Sequence, residues 1–276
     1  FDARILVAED NPVNQDVATG ILENMGCRVV TASNGVIAAR LMEQESFDLV
    51  LMDCEMPEMD GFDATRCIRQ SEGANAGAKR TPIVALTAHA LADIRRKCLE
   101  AGMDDFLTKP YDEHQMSEAL HRWIGGLACA PPAALPAPRV PLLANAALPA
   151  EESPINHEVL DNVSAFKGAN GEALFRRVVA RFAGTAPNLA NSLKEQFDTG
   201  NTDQLWRIAH SLKSSASALG ANRLAQRAGE IESIAREQGL EAVRPLLAGL
   251  DRELAAALKS LSVMTGESHE PALQRG

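Results

Sequence analysis

The feature that most constrains the fold is an Ala- and Pro-rich segment that separates two regions of different hydrophobic pattern in this 276-residue chain. Residues 128–153 contain six prolines and no apolar periodicity, which is typical of a linker. The region on each side is long enough to bury a core of its own. We therefore expect a first domain over 1–127, a second over 154–265 and a disordered tail over 266–276.

Short apolar runs alternate with amphipathic helical segments throughout the first region. The predicted strands cover 5–9, 27–31, 47–53, 82–88 and 104–108. The predicted helices follow them in turn, at 14–25, 35–45, 61–70, 91–101 and 112–126. Strict alternation of strands with helices predicts a doubly wound, five-stranded parallel sheet of the α/β class.

Residues with ionisable or hydroxyl side chains lie at or just after the carboxyl ends of the predicted strands: Glu9, Asp10, Asp53, Thr87 and Lys109. Any one alone would suit a solvated strand end, but ligands of an open α/β sheet bind at this edge. Clustered carboxylates repel one another, and a hydrated hard cation, Mg²⁺ rather than Ca²⁺, would neutralise them. Together with a hydroxyl and an ammonium group, they predict a phosphoryl-transfer site in which an Asp carboxylate can act as nucleophile.

Four segments of the first region, ILVAEDNPVNQ, LVLMDCEMPEMDG, PIVALTAHA and AGMDDFLTKP, resemble the receiver domain of two-component response regulators. The resemblance runs in order from residue 4 to about 126. It implies that Asp53 is the phosphoacceptor. It also implies four ligands for Mg²⁺, which are Glu9, Asp10, Asp53 and the backbone carbonyl of Glu55.

The same resemblance assigns roles at the far side of the predicted site. It implies that Thr87 and Lys109 contact the phosphoryl group and that Phe106 occupies the switch aromatic position. It further implies a cis peptide bond between Lys109 and Pro110, because receivers use that bond to direct the lysine inward. An X-Pro bond is the context in which the cis form costs only about 0.5 to 1 kcal/mol.

The second region has helical periodicity from about Glu158 to Ser262 and no strand signal. Glycines and a proline interrupt the pattern at 168–171, 184–187, 200, 220 and 239. Helical segments with short connections predict an all-α antiparallel bundle.

One histidine lies outside the apolar stripe of the segment DQLWRIAHSLKSSASAL. The stripe is formed by Leu205, Ile208, Leu212, Ala216 and Leu219. His210 shares a different face with Lys213, Ser214 and Ser217. We expect a solvent-facing imidazole that can act as a nucleophile, with Lys213 balancing phosphoryl charge, although an isolated histidine of this kind is commonly an ordinary surface residue.

The segment AHSLKSSASALG resembles the motif of histidine phosphotransfer (HPt) domains, which are four-helix bundles that carry a phosphoryl group on histidine. Ser214 stands where many such domains have Gly. The resemblance implies that His210 is a second phosphoacceptor. A receiver followed by an HPt domain looks like the C-terminal part of a bacterial hybrid sensor histidine kinase.

That arrangement implies a phosphorelay, in which a histidine kinase core phosphorylates Asp53, Asp53 exchanges the phosphoryl group with His210, and His210 passes it to a downstream response regulator. Two alternatives remain open at this stage. The receiver could be a phospho-regulated binding module, or a phosphate sink that controls a partner kinase. No ATP-binding motif accompanies the two regions, so the parent chain would supply the histidine kinase core.

Composition limits the cellular compartment and the kinds of partner expected for the chain. Five cysteines without a C-x-x-C pair indicate free thiols in a reducing cytoplasm. No apolar run spans a bilayer, and a chain that opens on Phe1 suggests a piece of a longer protein. The resemblance to a hybrid sensor histidine kinase implies that this parent protein is anchored in the bacterial inner membrane. Residues 1–127 hold 12 Lys and Arg against 21 Asp and Glu, while 128–276 hold 15 against 16. Without a basic, aromatic stripe, we expect no nucleic-acid partner.

Overall fold

A computed structural model gives the architecture of the chain. It describes residues 1–74, 80–88, 92–124, 155–156, 169–237 and 239–265. The chain divides into two compact units, Phe1–Glu152 and Ser153–Gly276. The predicted linker and the predicted tail lie outside the described residues, and the domain boundaries given above stay predictions.

The first unit contains a five-stranded parallel sheet, as predicted. Its strands are β1 (Arg4–Ala8), β2 (Arg28–Ala32), β3 (Leu49–Asp53), β4 (Ile83–Thr87) and β5 (Asp105–Thr108). Their order in the sheet is β2-β1-β3-β4-β5, and every neighbouring pair is parallel. All residues of β3 and β4 are buried, because helices cover both faces of the centre of such a sheet.

Five helices connect and flank the strands. They are α1 (Pro12–Asn24), α2 (Gly35–Gln44), α3 (Gly61–Ala74), α4 (Ala92–Ala101) and α5 (Glu113–Trp123). The start of α1 is fixed by Asn11, whose side chain accepts a hydrogen bond from the backbone of Val13, and by Pro12 in the first turn. This cap directly follows Glu9 and Asp10, so it sets the path of the chain where the acidic pair lies.

Helix α3 begins in close contact with the end of β3. A Cβ atom built on Gly61 would lie 2.0 Å from the backbone oxygen of Asp53. The amide of Gly61 also donates to the carbonyl oxygen of Cys54 at 3.2 Å. Only glycine allows this approach, which closes the loop that carries Glu55 beside the end of the strand.

We expect Gly61→Ala to lower the free energy of unfolding of the first unit by about 1–3 kcal/mol, because the added methyl group meets backbone rather than a movable side chain. Urea denaturation of the chain, followed by circular dichroism, measures this. Gly73→Ala on the same helix is the matched control, since nothing lies within 4 Å of its Cβ position. Equal stability of the two variants would contradict the steric argument.

The second unit is a helical bundle, as predicted. Four long helices, α6 (Ala169–Asp198), α7 (Thr202–Ala218), α8 (Asn222–Glu237) and α9 (Arg244–Thr265), follow one another, with a 3₁₀ turn at Leu240–Val243 before α9. Each packs against the next, and α9 returns to α6. Gly200, Gly220 and Gly239 have positive φ at the turns, which confirms three of the predicted interruptions.

The predicted interruption at 184–187 is wrong, because α6 continues through Gly184 and Pro187. Its buried stripe runs on across this point, through Phe182, Ala186, Ala190 and Leu193. Side chains also supply donors to backbone carbonyls on this turn, from Thr185 to Arg181 and from Asn188 to Gly184. Tertiary packing therefore outweighs the local preference of proline and glycine to end a helix.

The described helices include none that combines the length and the apolar character that crossing a bilayer requires.

Candidate functional site: an acidic pocket and a paired histidine

Three carboxylates converge at the carboxyl edge of the sheet. Glu9 follows β1 and Asp53 ends β3, and these strands are neighbours with Ala8 opposite Met52. One oxygen from each of Glu9, Asp10 and Asp53 lies within 4.8 Å of the others. Glu9 and Asp53 are buried, whereas Asp10 is partly exposed. Oxygens at this spacing suit a small hard cation whose ligands lie at about 2.1 Å.

A lysine that directly follows β5, at the same edge of the sheet, reaches the same carboxylates. Lys109 Nζ donates to Oδ2 of Asp53 at 2.8 Å and also contacts Oε2 of Glu9. Burial alone would lower the pKa of Lys109, but the charges of Asp53 and Glu9 outweigh it and raise that pKa. Lys109 is therefore an ammonium ion within the pocket. Its peptide bond to Pro110 is cis, which confirms the prediction.

The ionisation of Asp53 depends on its surroundings. Burial raises its pKa to about 8, Glu9 and Asp10 raise it as well, and Lys109 opposes them. One ammonium group thus leaves part of the repulsion among the carboxylates uncompensated. A bound cation would favour the ionised form of Asp53, which is the form that can act as a nucleophile.

Thr87 and Glu55 lie close to this pocket along the backbone. Thr87 is buried at the end of β4, and its carbonyl oxygen accepts a hydrogen bond from the amide of Lys109 at 2.7 Å. The amide of Glu55 donates to Oδ1 of Asp53 at 3.3 Å. Phe106 on β5 packs partly buried against the core. Metal ligation by the Glu55 carbonyl, phosphoryl contact by Thr87 and the switch role of Phe106 remain predictions.

Sequence reasoning missed two residues of the pocket. Asn14 Nδ2 donates to Oε1 of Glu9 at 3.0 Å, because the first turn of α1 faces back toward the end of β1. The second is Tyr111, whose pKa is raised by burial and by the charge of Glu9. The NPVNQ segment carries a signal for Asn14, since a capped helix start after the acidic pair brings its first turn close to them.

The second candidate site lies on α7. His210 Nδ1 is 3.0 Å from Oε1 of Glu232 on α8, and Lys213 Nζ donates to Oε2 of the same carboxylate at 3.2 Å. The His210 side chain is 13% exposed, so the expectation of a solvent-facing imidazole is corrected to a largely enclosed one. The reason is Glu232, which reaches across from the neighbouring helix and engages both side chains.

Glu232 also defines the tautomer of the histidine. Burial alone would raise the pKa of Glu232, but the hydrogen bond from His210, the positive charge that the ring carries when it is protonated, and Lys213 lower that pKa to about 2. Glu232 is then a carboxylate that only accepts hydrogen bonds. His210 Nδ1 must therefore carry the proton of this bond, which leaves the lone pair of the neutral ring on Nε2.

Comparison with known proteins identifies both units. Residues 5–121 match the response regulator receiver domain family, and residues 177–260 match the Hpt domain family. The sensor protein GacS of Pseudomonas syringae pv. syringae is 43% identical over 170 residues, which are 62% of this chain and 17% of that protein. The histidine-protein kinase BarA of Shigella flexneri is 30% identical over 222 residues, 80% of this chain and 22% of BarA.

One solved structure is similar in sequence to the first unit. It is the receiver domain of a sensor histidine kinase from Pseudomonas aeruginosa PAO1, crystallised with magnesium in its active-site cleft. The two sequences are 45% identical, and the match covers 45% of this chain and 99% of the crystallised one, with a TM-score of 0.41. The two family matches show that the chain belongs to two-component phosphorelay signalling proteins and contains a response regulator receiver domain followed by an Hpt domain. It spans less than a quarter of the length of GacS or BarA.

We expect the pairing of Glu232 to stabilise the Hpt domain in a pH-dependent way. Because the folded-state pKa is about 2, below the ordinary 4.5, this stabilisation is complete above about pH 4.5 and disappears as pH falls through 2. Glu232→Gln should therefore lower the free energy of unfolding by about 2 kcal/mol near pH 5 and by progressively less toward pH 2.

Urea titrations at a series of pH values test this. Glu237→Gln, an exposed glutamate on the same helix, is the matched control and should leave the stability unchanged across that range. A loss of stability in Glu232→Gln that is the same at pH 2.5 and at pH 5 would show that the pairing is not its source.

Proposed function

We propose that Asp53 accepts a phosphoryl group from the histidine of a kinase core and exchanges it with His210, which delivers it to a downstream response regulator. The observation that carries this proposal is the pocket around Asp53. A buried carboxylate is held there between two further carboxylates and the ammonium group of Lys109. Such a pocket offers a nucleophile together with compensation for phosphoryl charge.

In the forward step an oxygen of Asp53 attacks phosphorus. The bond between phosphorus and the donor histidine nitrogen breaks, and that nitrogen keeps the electron pair. Lys109 and the hydroxyl of Thr87 would stabilise the charge that spreads over the phosphoryl oxygens, since catalysis of this transfer is mainly positioning and electrostatic stabilisation. Glu55 contributes its amide, which already points toward Oδ1 of Asp53.

Mg²⁺ is the cation we propose for the pocket, held by Glu9, Asp10, Asp53 and the backbone carbonyl of Glu55. The three side chains supply hard oxygen donors at suitable spacing, and this fits a metal that binds few protein oxygens and retains water. When bound, Mg²⁺ supplies charge neutralisation between the carboxylates and the incoming phosphoryl group.

In the second step Nε2 of His210 attacks the phosphorus of the acyl phosphate, and the carboxylate of Asp53 leaves. Glu232 orients the ring and holds its Nδ1 proton, and Lys213 lies close enough to share the new charge. Neutral imidazole is a competent nucleophile at physiological pH. The Hpt domain contributes the nucleophile, while the receiver contributes the metal and most of the charge compensation.

The wider setting is also a proposal. The names of GacS and BarA, a sensor protein and a histidine-protein kinase, suggest that a kinase core in a longer parent chain is the donor. That parent would be anchored in the bacterial inner membrane, with the present two domains in the cytoplasm. The final acceptor would be a separate response regulator.

We expect Asp53 to take a phosphoryl group from acetyl phosphate only in the presence of Mg²⁺, because the three carboxylates otherwise repel the anion. Labelling with ³²P-acetyl phosphate, with Mg²⁺ and with excess EDTA, measures this. Asp53→Asn is the control for the site of labelling. Undiminished labelling of Asp53 in EDTA would contradict the proposed metal site.

We expect the relay to be sequential when a kinase core is supplied. His210→Gln should leave kinase-dependent labelling of Asp53 intact, whereas Asp53→Asn should abolish labelling of both sites. The reason is the asymmetry in charge compensation, since Lys109 and the proposed cation, held with Glu9 and Asp10, lie beside Asp53, whereas Lys213 is the cation that lies near His210.

Stability to alkali and to acid distinguishes the two labels, because acyl phosphates are lost in alkali and phosphohistidine in acid. Direct labelling of His210 by the kinase in Asp53→Asn would reverse the proposed order. The receiver would then be better explained as a regulatory binding module or a phosphate sink.

A further inference from the structure

A tryptophan and two arginines form a compact patch beside His210. The guanidinium carbon of Arg236 lies 3.9 Å from the centre of the Trp206 ring, and that of Arg207 lies 4.8 Å from it. Trp206 precedes His210 by four residues on α7, so the two side chains lie one turn apart on the same side of the helix. We call Trp206, Arg207 and Arg236 the Trp206 patch.

Core packing does not account for the position of this tryptophan. Its neighbours Leu205 and Ala209 are fully buried, whereas Trp206 is partly exposed and Arg207 and Arg236 are exposed. Guanidinium groups over a partly exposed indole ring form cation–π contacts and present apolar area together with positive charge at the surface. Trp and Arg are the residues most enriched among those that dominate protein interfaces.

The patch is connected to the reacting histidine through one carboxylate. Arg236 follows Glu232 by one turn on α8, and its Nη1 lies 3.5 Å from Oε1 of Glu232, the oxygen that faces His210. Any partner that binds the patch is therefore placed within one helical turn of the imidazole. This is where a partner must lie if it is to deliver or receive a phosphoryl group at Nε2.

Charge indicates what kind of partner fits. The Trp206 patch presents two cations, and Lys213 lies on the same face. In the receiver of this chain, the loop after β3 carries Glu55, Glu58 and Asp60, and the sequence up to residue 127 holds 12 Lys and Arg against 21 Asp and Glu. Acidic and basic surfaces of this kind guide association and fix orientation.

We propose that the Trp206 patch is the anchor by which the Hpt domain recognises a receiver domain with an acidic phosphoacceptor edge. This inference rests on the proposed transfer to His210. The ring of Trp206 supplies apolar contact, and Arg207 and Arg236 pair with carboxylates at the rim of the partner's pocket. The patch thereby selects the partner, while Glu232 and Lys213 serve the reacting ring.

Transfer between two full-length chains tests the anchor. The donor is the His210→Gln chain labelled on Asp53 with ³²P-acetyl phosphate and Mg²⁺ and then desalted. The acceptor is a tagged Asp53→Asn chain, in which alkali-stable label reports phosphorylated His210. Initial rates over a range of acceptor concentrations separate KM for the acceptor from the maximal rate.

Trp206→Ala or Arg236→Gln in the acceptor should raise KM on the order of tenfold and change the maximal rate by less than about twofold, because the partner loses contacts that do not touch the reacting atoms. Trp206→Phe and Arg236→Lys should recover part of the affinity. Added salt should raise KM less for Arg236→Gln than for the parent acceptor.

Arg252→Gln is the matched control, since Arg252 is an exposed arginine on α9, and it should keep the parent KM. Circular dichroism checks that each variant is folded. An unchanged KM with a reduced maximal rate in the Trp206 and Arg236 variants would overturn the anchor and leave the patch as support for Glu232. If the parent pair shows no transfer at all, the proposed function fails and the anchor fails with it.

Discussion

The repulsion among three carboxylates at one edge of a parallel sheet is the constraint on which the rest of the receiver depends. Glu9 and Asp53 are buried, and charges of the same sign at this distance in a medium of low dielectric constant cost free energy unless they are compensated. Lys109 supplies part of the compensation. The remainder is visible in the pKa of Asp53, which burial and Glu9 raise to about 8.

Several features of the fold follow from the need to hold these groups together. Parallel pairing of β1 with β3 places Glu9 beside Asp53, and the Asn11 cap turns the chain immediately after the acidic pair. Gly61 lets α3 begin so close to the backbone of Asp53 that no other residue fits without a shift. The structure thus maintains a cluster that is unfavourable by itself, as is common where a site is arranged for a charged ligand.

The sequence predicts well the features that follow a periodic pattern, which are the strands and helices themselves and the residues at the ends of the strands. The alternation of strands and helices predicted the sheet, and the residues at the strand ends include Asp53 and Lys109, which the structure brings into contact. Glu232 carries no comparable signal, because it meets His210 only when α8 packs on α7, 22 residues away in sequence. The predicted helix break at Pro187 was wrong for a related reason. Helix α6 continues through Pro187 because its buried stripe packs against the other helices of the bundle, which the local sequence does not show.

The Hpt domain compensates the charges around its phosphoacceptor histidine differently from the way the receiver compensates those around Asp53. The carboxylate that contacts its histidine, Glu232, is already shared between the imidazole of His210 and the ammonium group of Lys213. A phosphoryl group on Nε2 would add negative charge close to that carboxylate, so Lys213 must then serve two anions at once. Lys213 can do so because it follows His210 by three residues on α7 and therefore shares the face of the helix on which the imidazole lies.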